Sequence, residues 1–194
     1  MTNFVKICLR GTIYEFSEIF KDLYSSSKLL ELYFLQGTHK ISIKNIDLVV
    51  YDFDGVMTDN RVLVFQDGTE AVFANRSDGL GVEMISTMGL RQMILSTETN
   101  PVVQSRANKL NLKVIHGVKD KAIALRDYCF KHKIDLSRVL YVGNDLNDLG
   151  VMKIVGHTIA PADANLQIAV QAQIITQAKG GEGVIKEIAE HILS

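Results

Sequence analysis

Leu48-Val49-Val50-Tyr51-Asp52-Phe53-Asp54-Gly55-Val56-Met57-Thr58-Asp59 is the stretch on which the reading of this chain turns. Apart from Asp47, residues 46–51 are apolar, rich in β-branched side chains and soon followed by a glycine turn, the pattern of a short buried strand. Two carboxylates, Asp52 and Asp54, emerge where that strand ends. In open α/β sheets, ligands bind in the crevice beyond the carboxyl ends of the strands. Two like charges held together there are unfavourable unless a cation sits between them, and a hard, oxygen-ligated ion such as Mg2+ meets that need. A strand-end aspartate followed by one that opens an Asx turn fits the same residues, so the rest of the chain has to decide.

Working outward, strands and helices alternate. Residues 61–65 and 70–75 predict a β-hairpin around Gln66-Asp67-Gly68. Residues 78–88 predict a helix stopped by Gly89, and residues 101–110 one with Pro101 in its first turn. Strands are expected at 91–95, 114–116 and 139–142, with a helix over 119–133 between the last two. Segments 148–155, 157–160, 165–170 and 174–176 continue the alternation, and 184–193 closes the chain as a helix. This order calls for an α/β fold with a doubly wound parallel, Rossmann-like sheet over residues 45–194. Residues 1–44 stand outside the rhythm. Apolar residues within 14–35 predict one or two helices interrupted at Ser25-Ser26-Ser27, so this stretch reads as a partly helical N-terminal extension.

Composition narrows the class. With 47% hydrophobic and 22% charged residues the chain suits a soluble globular protein. A formal net charge of −1 argues against a nucleic-acid or polyanion binder. Cys8 and Cys129 have no metal-ligand spacing and fit a reduced, cytoplasmic compartment. No apolar run approaches the roughly 20 residues that span a bilayer, and residues 1–11 lack a signal-peptide core. Neither a membrane nor a nucleic acid is expected as a partner.

Four clusters fall at strand ends or helix starts around one crevice. They are Asp52 with Asp54; Leu95-Ser96-Thr97-Glu98; Lys119-Asp120-Lys121; and Tyr141-Val142-Gly143-Asn144-Asp145-Leu146-Asn147-Asp148. Carboxylates, a hydroxyl, an ammonium and a metal together suit phosphoryl transfer, which is chiefly positioning and charge neutralisation. Each cluster alone also fits a plain structural role: Ser96 as a helix cap, Lys121 as a solvated lysine, the 144–148 loop as a capping turn. Their joint order and spacing carry the reading.

Asp52-Phe53-Asp54-Gly55-Val56, Ser96, Lys121 and Gly143-Asn144-Asp145 with Asp148 resemble motifs one to four of the haloacid dehalogenase superfamily of phosphatases, over about residues 46–193. The resemblance implies that Asp52 is the nucleophile and Asp54 the general acid and base. It implies that Ser96 and Lys121 bind the phosphoryl oxygens. Mg2+ would be held by Asp52, by Asp54 through its carbonyl, and by the loop with Asn144, Asp145 and Asp148. Asn144 stands where the superfamily usually has an aspartate, so weaker metal binding is expected.

Residues 55–95 leave no room for a cap domain beyond the hairpin flap and a helix. The resemblance narrows to the capless branch acting on phosphorylated 2-keto-3-deoxy sugar acids, which includes 3-deoxy-octulosonate 8-phosphate and nonulosonate (sialic-acid-type) 9-phosphate phosphatases. Members of that branch are homotetramers in which one subunit covers the neighbour's site. Asn75-Arg76-Ser77-Asp78-Gly79 and Gly180-Gly181-Glu182-Gly183 are similar to its substrate-loop and C-terminal signatures, implicating Asp78 and Gly79 in substrate binding. Thr97-Glu98 replaces the Gly-Arg typical of the octulosonate enzymes. With Lys109 it resembles the nonulosonate group, Glu98 accepting from polyol hydroxyls and Lys109 meeting a carboxylate. Similar domains at the C-terminus of CMP-sialate synthetases have in some cases lost catalysis and serve oligomerisation, which is the alternative from another class.

Overall fold

The computed structural model describes residues 4–9, 12–17 and 40–193. The chain divides into two compact units, residues 1–39 and 40–194. In the first, β1 (Phe4–Leu9) and β2 (Thr12–Ser17) pair antiparallel, Phe4 opposite Ser17 and Leu9 opposite Thr12. Residues 14–17, expected to open a helix, are therefore strand. The run Thr12-Ile13-Tyr14-Glu15-Phe16 is β-branched and aromatic, which favours the pleated conformation. The rest of that expected helical stretch, residues 18–35, lies outside the described residues. The second unit begins earlier than the expected residue 45, because Ile41 is buried and its N–H donates to the Ile192 carbonyl at 2.9 Å.

The second unit starts with β3 (Leu48–Tyr51), followed by the antiparallel hairpin of β4 (Thr58–Val64) and β5 (Glu70–Ala74) and by α1 (Ser77–Thr87). Then come β6 (Arg91–Leu95), α2 (Pro101–Leu110), β7 (Lys113–Ile115), α3 (Lys121–His132) and β8 (Val139–Val142). The chain continues with α4 (Leu149–Met152), β9 (His157–Ala160), α5 (Leu166–Gln171), β10 (Ile174–Ile175) and α6 (Val184–Glu187), which runs on into a π-helical turn, Ile188–Ile192. Six strands form one parallel sheet in the order β10-β9-β8-β3-β6-β7.

All four residues of β3 and all four of β8 are buried, as both faces of an all-parallel sheet must be. Val49, Tyr51, Ile94 and Leu140 pack with Val82 and Ile85 of α1, Val103 and Ala107 of α2, and Val184 and Ile185 of α6. Leu48, Val50, Met93 and Tyr141 pack on the other face with Leu125 and Cys129 of α3, Val151 and Met152 of α4, and Ile168 of α5. No cap domain interrupts the fold: residues 55–95 hold only the hairpin, α1 and β6. Among the described residues no helix is long and apolar enough to cross a membrane.

From β3 the chain builds β6 and β7 on one side, then crosses to β8, β9 and β10 on the other. The carboxyl end of β3 is thus the topological switch point, where the flanking loops diverge and leave a crevice. Asp52 stands there.

Candidate active site

Asp52 extends the ladder of β3 by one bond, its N–H donating to the Val142 carbonyl at 2.9 Å. Its Oδ1 accepts from the Phe53 N–H at 2.7 Å and lies 2.7 Å from Lys121 Nζ. Lys121 is the first residue of α3. Asp120 caps that helix by accepting from the Ile123 N–H, which starts it two residues later than expected and sets Lys121 on the rim of the sheet. The lysine is buried, 2% exposed, and its Nζ also donates to Asp148 Oδ1 at 2.6 Å. Burial alone would lower the Lys121 pKa, but the charges of Asp52 and Asp148 and the hydrogen bonds to them outweigh it and raise it. Burial, then the charge of Asp148, push the Asp52 carboxyl above the usual carboxylate range, against the pull of Lys121 and the Phe53 N–H. Two buried carboxylates share one ammonium.

Asp148 was expected among the metal ligands; in the structure its oxygens are taken up by hydrogen bonds. Its Oδ1 accepts from Lys121 and from the Tyr141 hydroxyl, each at 2.6 Å, and its Oδ2 from the Asn144 and Asp145 N–H groups at 2.9 and 3.2 Å. Four donors fill the acceptor positions of one carboxylate. Asp148 therefore orients Lys121 and folds the loop after β8. Asp145 is exposed and turns its Oδ1 to the Leu146 N–H at 2.7 Å, capping the 3-10 turn Leu146–Asp148. The capping role read as the plain alternative for this loop is real for both residues.

Asn144 is different. Its Oδ1 is buried with no hydrogen-bond partner among the described residues. Its amide is pressed against Gly55, where a Cβ would lie 1.9 Å from Nδ2; Gly55 also has a φ of 79°, so only glycine fits. Among the described residues no three His, Cys, Asp or Glu side chains converge, so a cation here has to rely on mixed oxygen donors. The outer oxygen of Asp52, the Asp54 carbonyl and the orphaned Asn144 oxygen are such a set, and the surplus negative charge of the Asp52–Lys121–Asp148 triad favours a cation beside it. The Asp54 side chain is half-buried and accepts from the Thr58 hydroxyl at 3.5 Å. Burial, then the nearby Glu98 charge, raise its pKa.

Ser96 is buried at the end of β6, and its Oγ accepts from the Glu98 N–H at 3.0 Å. Thr97 Oγ1 accepts from Asn147 Nδ2 at 3.3 Å, so the loops after β6 and β8, the two neighbours of β3, touch at the crevice. Glu98 Oε1 accepts from the Thr99 and Asn100 N–H groups at 2.6 and 2.8 Å. Asn100 Nδ2 donates to Glu70 Oε2 at 2.9 Å and ties the hairpin to this rim. Tyr141, Thr58 and Glu70 were not singled out from sequence. Tyr141 and Thr58 each lie inside a stretch quoted from the sequence without being given a role, whereas nothing local marks Glu70.

Two expectations fail within one chain. Asp78 is buried, its Oδ1 accepting from the Ile185 N–H at 3.0 Å; burial lifts its pKa to about 6, against the Ile185 and Lys186 N–H groups. It braces α1 against the start of α6, and its Oδ2 is buried without a hydrogen-bond partner among the described residues. Gly79 and Lys109 line a groove between α1 and α2 together with Arg76 and Arg106. Lys109 is in the last turn of α2, about 12 Å along the axis from Pro101. Glu98 and Lys109 are therefore not brought together by the fold.

Residues 88–188 match the family model of the haloacid dehalogenase-like hydrolases. The chain is 32% identical over 150 residues, 77% of this chain and 80% of the relative, to a 3-deoxy-D-manno-octulosonate 8-phosphate phosphatase of Yersinia pestis. Among solved structures, a protein of Streptomyces avermitilis described as a HAD-family hydrolase is 46% identical with a TM-score of 0.77, covering 79% of this chain and 88% of its own. The Moraxella catarrhalis 3-deoxy-D-manno-octulosonate 8-phosphate phosphatase, solved with magnesium, phosphate and KDO, is 31% identical with a TM-score of 0.73, covering 76% and 86%. The family model over residues 88–188 and a relative 32% identical along most of both chains show the same thing: the chain belongs to the haloacid dehalogenase-like hydrolases.

Proposed function

We propose that this chain is a Mg2+-dependent phosphatase that hydrolyses the phosphomonoester of a 2-keto-3-deoxy sugar acid through an aspartyl-phosphate. The observation that carries the reading is the buried Asp52–Lys121 pair at the switch point beside the unpartnered Asn144 oxygen. Asp52 attacks phosphorus while the ester C–O oxygen leaves with a proton from Asp54. Asp54, now a base, takes a proton from water, which attacks the phosphorus and releases inorganic phosphate with Asp52 restored. Ser96 and Lys121 hold the phosphoryl oxygens. Asp52, the Asp54 carbonyl and Asn144 would hold Mg2+, which neutralises charge on the phosphoryl group.

Glu98, in place of the arginine typical of octulosonate enzymes, favours a nine-carbon acid 9-phosphate. One Glu98 oxygen caps its own loop, and the other is left to accept from a polyol hydroxyl. Lys109, in the last turn of α2, meets the substrate carboxylate from a neighbouring subunit of a homotetramer. The eight-carbon 8-phosphate is the second reading, favoured by the names of the relatives. Intact Asp52, Asp54 and Lys121 oppose a purely oligomerising role.

A phosphate-release panel over sugar phosphates, with Mg2+ and with EDTA, tests this. Turnover requires Mg2+, is lost in Asp52→Asn, and is faster on the nine-carbon substrate. Lys109→Ala lowers kcat/KM on that substrate about ten- to a hundred-fold, the loss of one hydrogen bond to a charged group. Mixing Asp52→Asn with Lys109→Ala chains regains activity, since some sites then combine an intact Asp52 with a neighbour's intact Lys109. Wild-type preference for the eight-carbon substrate would select the second reading, and metal-independent turnover would sink the mechanism.

A further inference from the structure

The Gly180-Gly181-Glu182-Gly183 turn touches the loop after β3 through its backbone. The Gly181 N–H donates to the Val56 carbonyl at 3.1 Å. A Cβ on Gly180 would lie 2.2 Å from the Gly55 carbonyl oxygen, 2.7 Å from its carbon and 3.0 Å from the Thr58 carbonyl oxygen. Gly55 is thus clamped, the Asn144 amide against its Cα and Gly180 against its carbonyl. The turn is fixed from behind. The Gly180 N–H donates to Asp163 Oδ1 at 2.9 Å, and the Gln177 and Ala178 N–H groups each donate to a Glu187 oxygen at 2.7 Å. Asp163 lies in the loop after β9, where the Asn165 N–H donates to the Asn144 carbonyl at 2.8 Å. The contacts run from Asn144 to Gly55, to Gly180, to Asp163, and back through Asn165 to Asn144.

We infer that Gly180, held by Asp163, is a positioning residue for the cation site: its bare Cα sets the height of Gly55, and so the separation of the Asp54 carbonyl from the Asn144 amide. The inference rests on the metal reading above. Every atom in the clamp is backbone or a packed amide, so a methyl on Gly180 has no flexible side chain to displace. Gly55 itself must move, and a shift of about 1 Å at a catalytic constellation costs on the order of a hundred-fold. Gly183 supplies the contrast. It shares the turn and has a φ of 98°, but a Cβ there meets only the Ser77 hydroxyl, at 2.9 Å.

The test is calorimetric titration of the full chain with Mg2+ in the absence of substrate, alongside thermal unfolding and turnover. Gly180→Ala weakens Mg2+ binding at least tenfold and raises the Mg2+ needed for half-maximal rate in parallel, with KM for the sugar phosphate little changed at saturating metal. Asp163→Ala shifts Mg2+ affinity in the same direction, and Asp163→Asn, which keeps the acceptor, restores it; this pair carries the test if Gly180→Ala does not fold. Gly183→Ala lowers the unfolding temperature and leaves Mg2+ affinity within twofold. Unchanged affinity in both Gly180→Ala and Asp163→Ala, or an equal shift in Gly183→Ala, overturns the inference while leaving the metal reading standing. A wild-type chain that binds no Mg2+ overturns both.

Discussion

Replacing Lys121 with methionine keeps the length of the side chain and removes the only cation between two buried carboxylates. Lys121 Nζ lies 2.7 Å from Asp52 Oδ1 and 2.6 Å from Asp148 Oδ1. The two carboxylate oxygens are therefore at most about 5 Å apart, where two unit charges repel by roughly 3 kcal/mol at an effective dielectric constant near 20. Breaking a buried pair by removing one partner costs about 3–5 kcal/mol, a similar size. Lys121→Met should thus lose about 3–5 kcal/mol of stability at pH 8. For a domain of this size that is an unfolding temperature lower by roughly 6–20 °C. The sign of the pH dependence follows. Without the ammonium, the Asp52 carboxyl, already raised by burial and by the Asp148 charge, loses the pull that opposed them, so the folded state binds a proton more tightly than the unfolded one. That contribution is fully present below the unfolded carboxylate pKa and is lost as pH rises through the raised one, so the gap to wild type narrows at pH 5. Urea unfolding of both proteins at pH 5 and pH 8, in EDTA, measures it. A loss below about 1 kcal/mol at pH 8, or one equal at both pH values, would refute the buried triad as the source.

Asn144→Asp adds a full charge to the cation site. It should lower the Mg2+ concentration for half-maximal rate while destabilising the metal-free protein, readable from a metal titration and from unfolding in EDTA. Asp78, lifted to about 6 by burial, stabilises the fold when protonated, and that contribution is lost as pH rises from 3.8 through 6, by about 3 kcal/mol. Asp78→Asn removes the titration and keeps an acceptor for the Ile185 N–H, so its stability relative to wild type should rise between pH 4 and pH 7.5, and a constant difference would contradict this. Tyr141→Phe removes one hydrogen bond to the Asp148 carboxylate and should cost about 1.5–3 kcal/mol in urea unfolding without abolishing turnover.

Within residues 45–194 the fold was legible because both of its periods are local. Strands of four or five residues at 91–95, 139–142 and 157–160 end at the residues expected, and Pro101 marks the start of α2. The elements misjudged were those set by pairing and not by periodicity. Ile41 joins the second unit through its bridge to Leu193 and its bond to Ile192, and residues 14–17 form a strand by pairing with residues 4–7. At the site, the place of Asp52, Asp54 and Ser96 after strands and of Lys121 at a helix start could be read from spacing. Which oxygen is free could not. Asp148 and Asn144 look interchangeable as oxygen donors in sequence, and only the four donors converging on Asp148 and the lack of a hydrogen-bond partner for Asn144 Oδ1 among the described residues separate them. Lys109 misled for a related reason: a spacing of eleven residues from Glu98 carries no distance until a helix of known length is laid between them.

The parallel sheet ends at its margins in β7, three residues beginning with Lys113, and β10, two residues long. Unpaired ladders that short, one opened by a lysine, give a second chain little to extend, which is how natural sheets resist growing edge to edge. The hairpin of β4 and β5 has no such protection. It is a separate two-stranded ribbon that carries Val62, Leu63, Val64, Phe65 and Phe73 in the open, Phe73 at 69% exposure. When the protein is heated or concentrated, self-association should therefore start at this ribbon and not at the sheet, and charged replacements at Leu63 and Phe73 would delay clouding without altering the melting of the parallel sheet.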